Sequence, residues 1–376
     1  MITFIALVVI LLGSFVFLPQ VSEAVGVSVG DPTGVGQVLR FLLNVRYKLI
    51  ALAHFNKPQF TGRVDQIFVH PLKSGGYISV KEWPVDHQGF KYDRQFMAAY
   101  WDDKIKAFQA YTLRNAPRLA LVKLTYLEDQ HCFKFTYPLL NSEEFESFTL
   151  PCEVSDEYIK THSDGITEST TNLWGVQFES ISIGKALPQS FRDSMNFNRP
   201  NTTLLYTPSG KRCLTGSPPE LPQLRKTNFQ DYYPLMIMSQ DEIDEVNARM
   251  KAKGSNRHVT ASNFRPNIVV KGLGESIDDM FKFRIRDPMT NSTHYWKTAQ
   301  KCPRCSIPNV DMNTGTFDKT NTVSKTLGEY RKIDAGDTKA HFLGLYCVHI
   351  GEDYIVKVGD YLDVMEEKVI PYMGLH

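Results

Sequence analysis

The chain has 376 residues and a mass of 42.8 kDa, which is enough for two domains of ordinary size. Its formal net charge of +1 offers no basic excess, so no nucleic-acid partner is expected. With 42% hydrophobic residues and only six cysteines, the composition indicates a globular body in a reducing compartment, not a disulfide scaffold.

Residues 2–18 form an uncharged apolar run that is just long enough to cross a bilayer as a helix. The first basic residues, Arg40, Arg46 and Lys48, all follow this run, which places the rest of the chain on the cytosolic side. We therefore predict a retained membrane anchor in residues 1–25, with a cleaved signal peptide as the alternative.

Residues 26–58 are predicted to contain a linker and then a helical stretch. Apolar residues recur at roughly helical spacing between Gln37 and Phe55. This stretch either lies on the membrane surface or packs on the next domain. Because its basic residues are not confined to one face, an interfacial helix is not predicted.

The following segment, residues 59–195, alternates short β-rich runs with turns. Such runs predict a small β-barrel or sandwich, and the polar stretch Asp156–Thr171 is predicted to be a loop. The strands are predicted at Val64–His70, Gln95–Trp101, Leu119–Tyr126 and Cys132–Tyr137.

Residues 196–366 are predicted to form a mixed domain built on a β-barrel, so that the whole chain is α+β and mostly β. Ser239 and Glu242 form a capping box before an amphipathic helix that ends near Gly254. The strands are predicted at Asn267–Lys271, Phe281–Ile285, Leu345–Ile350 and Tyr354–Val358.

Cys302 and Cys305 are close together, with Arg304 between them and Lys301 beside them. These cations would lower the pKa of a thiol and favour the thiolate, the form that binds soft metals. The spacing is compatible with half of a zinc site, a redox dithiol, a single metal-ligating cysteine, or two structural thiols at a strand end.

Separated motifs resolve these alternatives by resemblance. The chain resembles the MOSC family of molybdenum-cofactor proteins, and most closely the membrane-anchored amidoxime reducing components. The resemblance spans about residues 62–365, and its motifs occur in the family's order. They are Val69-His-Pro-Leu-Lys-Ser74, Tyr92-Asp-Arg94, Asn263-Phe-Arg-Pro-Asn267, Cys302-Pro-Arg-Cys305 and Lys357-Val-Gly-Asp360.

This resemblance implies an N-terminal MOSC-associated β-barrel domain, a β-barrel MOSC domain and an N-terminal transmembrane helix. It also implies a bound molybdenum-molybdopterin cofactor, with Cys305 as metal ligand and catalytic residue and Cys302 as a neighbour only. Residues at family positions are implied to contact the cofactor. They are Lys73, Ser74, Arg94, Arg265, Asn267, Arg304 and Tyr346.

Each of these residues also has a purely structural interpretation. Lys73 could be a solvated turn lysine, although the following Gly75-Gly76 could present backbone N–H groups to an anion. Arg94 could pair with Asp93. Asn267 could satisfy backbone groups at a strand start, and Tyr346 could be a core aromatic residue.

Two further positions bear on the site. Arg114 is a weaker candidate for the pocket rim, with a surface ion pair as its alternative. Where the relatives carry a small hydroxyl pair before a proline, this chain has Asp231-Tyr232-Tyr233-Pro234, which would reshape the substrate entrance.

The implied activity is a molybdenum-dependent, pyridoxal-phosphate-independent reduction of N-hydroxylated compounds, such as amidoximes and hydroxylamines, with nitrite and nitrate as further small substrates. Electrons would come from cytochrome b5 and its NADH-dependent reductase. The implied location is the mitochondrial outer membrane, with the endoplasmic reticulum as the alternative and the body facing the cytosol.

Two other functions stay open. The first is a non-catalytic carrier of the molybdenum cofactor or of sulfur. The second is a secreted or lumenal protein, since Asn201-Thr-Thr203 and Asn291-Ser-Thr293 are formal glycosylation sequons.

Overall fold

The computed structural model describes residues 34–53, 58–166, 169–208, 212–213, 221, 226–274 and 277–372. The predicted anchor in residues 1–25 lies outside these ranges. Among the helices that are described, none combines the length and the apolar character needed to cross a membrane.

The helices are short except for the first and the fourth. They are α1 (Gly34–Ala53), α2 (Asp156–His162), α3 (Gln189–Ser194), α4 (Gln240–Ala252), α5 (Ala261–Phe264) and α6 (Thr322–Tyr330).

Strands make up most of the regular structure, as predicted. In the first half of the chain they are β1 (Phe60–Val69), β2 (Ile78–Val80), β3 (Glu82–Asp86), β4 (Gly89–Phe90), β5 (Phe96–Asp102), β6 (Ala107–Ala110), β7 (Lys123–Leu127), β8 (Cys132–Pro138), β9 (Phe145–Pro151), β10 (Ser169–Leu173) and β11 (Val176–Ser182). In the second half they are β12 (Thr202–Tyr206), β13 (Arg212–Cys213), β14 (Lys226–Thr227), β15 (Leu235–Ser239), β16 (Ile268–Lys271), β17 (Met280–Arg286), β18 (Thr293–Pro303), β19 (Val310–Asp311), β20 (Thr316–Phe317), β21 (Phe342–Ile350), β22 (Tyr354–Lys357) and β23 (Tyr361–Glu367).

The first barrel has the strand order β10-β11-β12-β5-β6 and is closed by a parallel pairing of β10 with β6. Its strand β12 lies beyond the domain boundary that the sequence predicted at residue 196. The sheet β7-β8-β9 packs beside it. Aromatic residues dominate the shared core, where Phe96, Phe133, Phe135 and Phe191 are all fully buried. The predicted small barrel is thus confirmed.

The C-terminal half contains a second barrel with the order β16-β15-β21-β18-β17-β23-β1, and a pairing of β1 with β16 closes it. Its interior is filled by branched and aromatic side chains such as Ile67, Ile237, Ile268 and Trp296. The strand that closes the ring comes from the beginning of the sequence, so the first half of the chain contributes directly to the second barrel.

Helix α4 begins and ends as the sequence predicted. The Glu242 carboxylate accepts a hydrogen bond from the Ser239 backbone N–H, and the Ser239 hydroxyl accepts one from the first turn. Gly254 follows the last turn with φ 76°, a left-handed conformation that suits glycine.

The predicted loop at Asp156–Thr171 is wrong in part. Helix α2 occupies Asp156–His162, with the Ser155 hydroxyl accepting from the Tyr158 N–H, and β10 begins at Ser169. The sequence is polar here because α2 buries none of its residues, so no apolar stripe marks the helix.

Candidate functional site

A cavity opens between the two barrels and is lined by residues from both. All eight residues that the resemblance implies as site residues line this one cavity, although they are spread over the chain from Lys73 to Tyr346. The lining comprises Lys73, Ser74, Arg94, Thr112, Arg114, Trp174, Phe229, Gln230, Asp231, Tyr233, Met236, Phe264, Arg265, Asn267, Cys302, Pro303, Arg304, Cys305, Ile307 and Tyr346.

A tight turn after β1 places Lys73 and Ser74 in the cavity wall. Ser74 adopts a left-handed φ of 62°, which is unusual for a side chain other than glycine. The backbone N–H groups of the following glycines were predicted as anion donors, and one of them has a partner within the protein. Gly75 N–H donates to the Leu72 carbonyl instead, and a Cβ at Gly76 would lie 1.9 Å from the Val122 carbonyl oxygen. Gly76 therefore allows a close approach of two backbone segments.

Lys73 is buried, with only 4% of its surface exposed, so it is not a solvated turn lysine. Its ammonium donates to the Phe229 carbonyl at 2.9 Å and to Asp231 Oδ1 at 2.5 Å. The indole N–H of Trp174 donates to the same Asp231 oxygen at 3.1 Å. Burial alone would raise the pKa of Asp231, but the ion pair with Lys73 holds that pKa well below its usual range.

Asp93 and Arg94 form an ion pair at the part of the cavity wall that comes from the N-terminal half of the chain. Fully buried Asp93 accepts the His70 backbone N–H at 2.8 Å and the Arg94 guanidinium at 2.5 Å. The second Nη of Arg94 donates to the Arg265 carbonyl at 3.0 Å. Both the predicted salt bridge and the predicted position in the pocket are therefore present, because one guanidinium has enough N–H groups for both.

Arg265 is the least satisfied cation in the cavity. It has a left-handed φ of 62°, and one Nη donates to the Gly75 carbonyl while Nη2 is buried without a hydrogen-bond partner. Burial, and then repulsion by Arg94, lowers the pKa of Arg265 to about 9. A buried guanidinium with an unused donor is costly unless a ligand accepts from it.

Arg304 crosses the C-terminal wall and contacts the first of the two cysteines. Its Nη1 donates to Cys302 Sγ at 3.1 Å and its Nη2 to the Phe264 carbonyl at 2.9 Å, while Nε is buried without a partner. Burial raises the pKa of the Cys302 thiol, and Arg304 together with the Tyr346 hydroxyl opposes this effect. Cys302 is thus engaged by contacts within the protein.

Cys305 has a different environment. Its thiol is free, half-buried and part of the cavity lining, and it is not bridged to Cys302. Within the described ranges, no three or more His, Cys, Asp or Glu side chains are grouped so that they could hold a metal ion. A metal at Cys305 would therefore take most of its ligands from a cofactor.

Two expectations about individual side chains need comment. Lys301 does not line the cavity, because it lies on the other face of β18 and pairs with Asp279 at 3.7 Å and Asp334 at 3.8 Å. Its predicted effect on the thiols is wrong. Asn267 is buried, with Oδ1 accepting from Met236 N–H and Nδ2 donating to the Phe68 carbonyl, as its structural interpretation requires.

Tyr232 and Tyr233 both lie close to Tyr346. Tyr233 lines the cavity, and its ring centroid lies 6.1 Å from that of Tyr346. Tyr232 lies 5.3 Å from Tyr346 and shares a hydrogen bond with the Tyr372 hydroxyl at 3.1 Å. Burial, and then Cys302, raises the pKa of Tyr346 well above its usual value, so its phenol stays protonated.

Sequence reasoning missed Trp174, which comes from the turn after β10 with φ 57°. Its ring lies 4.7 Å from the Arg114 guanidinium carbon and 5.9 Å from the Lys73 ammonium. Arg114 is exposed, so the stacked pair forms the rim on the N-terminal side. No local sequence signal marks Trp174, because its contacts are with residues far along the chain.

The charges in the cavity do not balance. The carboxylates of Asp93 and Asp231 are engaged by Arg94 and Lys73, and no carboxylate of the described residues lies within ion-pair distance of Arg265 or Arg304. Two buried donors that lack partners, next to a free thiol, fit a bulky anionic ligand that also presents a metal. The molecule is thus a double-barrel protein with a cationic, thiol-bearing cavity between the barrels.

Comparison with known proteins gives the same two-part division. Residues 61–195 match the MOSC N-terminal beta barrel domain, and residues 225–363 match the MOSC domain. Together these matches cover well over half of the chain, which therefore belongs to the MOSC-domain family.

Several relatives align over most of the chain. Mitochondrial amidoxime reducing component 2 of Homo sapiens is 25% identical over 305 residues, which cover 80% of this chain and 83% of the relative. Mitochondrial amidoxime-reducing component 1 of Homo sapiens is 24% identical over 310 residues, covering 80% and 82%. Molybdenum cofactor sulfurase of Arabidopsis thaliana is 23% identical over 291 residues, covering 72% of this chain but 31% of the relative.

Proposed function

We propose that this protein binds a molybdenum-pterin cofactor in the cavity and reduces N-hydroxylated compounds there. The observation that carries the proposal is the meeting of the free Cys305 thiol with two buried guanidinium groups, Arg265 and Arg304, that have unused donors. The names of the relatives that cover most of the chain support the same chemistry.

Each residue has a role that follows from its position. Cys305 supplies the protein ligand to the metal, since it is the more exposed of the two cysteines in the cavity lining, whereas Cys302 is buried and accepts from Arg304 at 3.1 Å. Arg265, Arg304, Lys73 and Ser74 hold the anionic parts of the cofactor. Asn267 is a positioning residue, because both ends of its amide fix the backbones of β15 and β1.

The cofactor, when bound, supplies a two-electron centre that accepts an oxygen atom from the substrate. The balanced reaction converts an N–OH group, two protons and two electrons into N–H and water. The chain's own residues orient the substrate and exclude solvent. Trp174 and Tyr233 line the cavity and would limit the size of the substrate that enters beside the cofactor. Amidoximes and hydroxylamines are the proposed substrates, and nitrite and nitrate are further small candidates.

The electrons have to come from a separate donor, and we propose cytochrome b5 and its NADH-dependent reductase. We also propose that the chain is held at the mitochondrial outer membrane by residues 1–25, with its body in the cytosol. The uncharged run at residues 2–18 and the mitochondrial names of the relatives support this location. A shared membrane would raise the effective concentration of the donor.

Metal and pterin analysis of the purified full chain, combined with an amidoxime reductase assay, tests the proposal. We expect about one molybdenum per chain in the parent, and a loss of activity of at least about 100-fold in Cys305→Ala. Cys132→Ala is the matched control, because Cys132 is a free buried thiol of the N-terminal half that does not line the cavity. It should retain both metal and activity.

The possible results separate the candidate functions. Equal zinc content in the parent and Cys305→Ala, without pterin, would falsify the proposal. Bound molybdenum and pterin that never turn over with reduced cytochrome b5 would favour a cofactor carrier, a function that the similarity to a molybdenum cofactor sulfurase supports.

A further inference from the structure

Helix α1 carries an apolar stripe that faces away from the protein. Val38, Phe41, Leu49 and Leu52 are exposed by 58%, 66%, 45% and 61%. At about 100° per residue these four side chains and the half-buried Val45 between them fall within an arc of about 80° on the helix. Four large exposed apolar side chains on one helical stripe indicate a surface that is covered by something else.

Polar contacts fix α1 on the C-terminal barrel. The Asn44 side chain accepts from Val369 N–H at 2.8 Å and donates to the Val369 carbonyl at 3.4 Å. Tyr47 donates to Asp279 at 2.9 Å, and Lys48 pairs with Glu366 at 3.3 Å. At about 100° per residue, Asn44 and Tyr47 lie about 60° and 120° from the Phe41 edge of the stripe, and Lys48 lies close to that edge. The apolar stripe therefore borders the face that docks on the barrel and does not coincide with it.

Basic side chains lie near both edges of the stripe. Lys48 lies about 20° from one edge and Arg46 about 60° from the other, whereas Arg40 lies on the opposite side of the helix. Helix α1 contains Arg40, Arg46 and Lys48 and no acidic residue. Phe41 and Lys48 also line one side of a groove of about 590 Å³ whose other side belongs to the barrel. That side carries Lys282, Lys297 and Lys368 with Glu366 and Glu367. An apolar stripe with basic residues at its margin is the pattern of a helix that lies in the headgroup region of an anionic membrane.

We infer that α1 is a second membrane contact of this protein, which lies flat in the interface of an anionic bilayer with Val38, Phe41, Leu49 and Leu52 among the acyl chains. The helix of 20 residues carries basic residues along its length and does not meet the requirements for crossing. Residues 19–33 join it to the apolar run at residues 2–18 and reach at most about 50 Å when extended. Wherever that run meets a bilayer, α1 is therefore held close to the same surface.

Two other partners that could cover the apolar stripe of α1 fit less well. A second copy of the chain would place the same basic set against itself across a two-fold axis, and like charges oppose such an interface. The run at residues 2–18 is apolar on all sides, so covering the stripe with it would leave its own outer face exposed. A lipid surface buries the apolar side chains of the stripe among acyl chains and pairs the cations with anionic headgroups.

Short-range quenching by brominated lipid tests the inference in the full chain. Phe41→Trp places a reporter on the stripe, and Phe145→Trp is the matched control because Phe145 is an equally accessible phenylalanine on β9, exposed by 57%. Both variants are reconstituted into phosphatidylcholine vesicles with one quarter phosphatidylserine, with and without bromine on the acyl chains. The signal of the parent, which contains Trp83, Trp101, Trp174 and Trp296, is subtracted.

We expect bromine to reduce the added Phe41→Trp signal at least about twofold and to leave Phe145→Trp unchanged. Removing phosphatidylserine should weaken this quenching, because the cations then lose their partners. The inference fails if Phe41→Trp is not quenched, or if both reporters are quenched alike. It also fails if the Phe41→Trp spectrum depends on protein concentration and not on lipid, which would identify a second copy as the occupant.

Discussion

At the scale of single residues, the cavity contains side chains that lack the hydrogen-bond partners and the backbone conformation that are usual in a folded interior. Arg265 combines a left-handed backbone, a buried charge and an unused donor. Such features persist where the surrounding structure enforces them, and they concentrate at functional sites. Arg265 therefore reduces the stability of the ligand-free protein in exchange for a donor that is ready for an anion.

Replacing Arg265 should affect the thermal stability of the chain and its binding of the cofactor differently. We expect Arg265→Met to leave the melting temperature of the cofactor-free chain unchanged or higher, because a buried charge without an ion-pair partner is removed. Cofactor content after purification should fall at least about tenfold. Arg286→Met is the control, since Arg286 pairs with Asp363 at 3.1 Å outside the cavity. Full cofactor content in Arg265→Met would contradict the assigned role.

The residues of the site could be predicted only through the resemblance, and of their partners only a sequence neighbour, Asp93 for Arg94, could be predicted. The family motifs supply Lys73, Arg94, Arg265 and Cys305, which do line one cavity. The partner of Lys73 is Asp231, 158 residues away, and no periodicity or local motif connects two such positions. The effect expected of Lys301 was wrong because alternation along β18 turns it away from Cys302.

At the scale of elements, the sequence predicted a helix correctly where a capping motif and a helical spacing of apolar residues occur together. Helix α4 has both, and its prediction is confirmed. Helix α6 was not predicted. Its N-cap, Asn321, has a left-handed conformation and makes no side-chain cap bond, so the usual start signal has no structural counterpart. Strands β18 and β23 were missed as well.

The capping box of α4 predicts a pH effect on stability. Glu242 is 1% exposed, and burial raises the pKa of its carboxyl to about 7 in spite of Arg331 at 3.6 Å. The folded state thus keeps a proton that the unfolded state releases above about pH 4.5. The contribution of Glu242 to the free energy of unfolding is fully present below about pH 4.5. It is lost as the pH rises towards 7, by up to about 1.4 kcal/mol per pH unit.

Thermal unfolding between pH 5 and pH 8 measures this effect. Glu242→Gln can still form the capping box but does not titrate, so its melting temperature should fall less across this range than that of the parent. Glu245→Gln serves as the control, because Glu245 lies on the same helix and pairs with Arg249 at 2.8 Å near the surface. Parallel pH profiles for the parent and Glu242→Gln would show that Glu242 does not titrate in this range.

At the scale of the whole molecule, the two halves of the chain are interlocked. The match to the N-terminal family domain begins at residue 61, yet β1 (Phe60–Val69) is a strand of the C-terminal barrel. It pairs with β16 on one side and β23 on the other, both antiparallel. Composition and local patterns predicted two barrels but could not show this exchange, since strand pairing over such a separation depends on the complete fold.

This interlocking predicts that the C-terminal half does not fold alone. A fragment that begins at residue 196, the boundary predicted from sequence, lacks β1 and leaves the facing edges of β16 and β23 without a partner. Unpaired edges open the barrel and expose the core residues that β1 covers in the full chain, which favours aggregation. We expect this fragment to show no cooperative thermal transition by circular dichroism. A chain that begins at residue 58 keeps β1 and should melt in a cooperative transition, and a folded, monomeric fragment from residue 196 would show that β1 is dispensable for barrel closure.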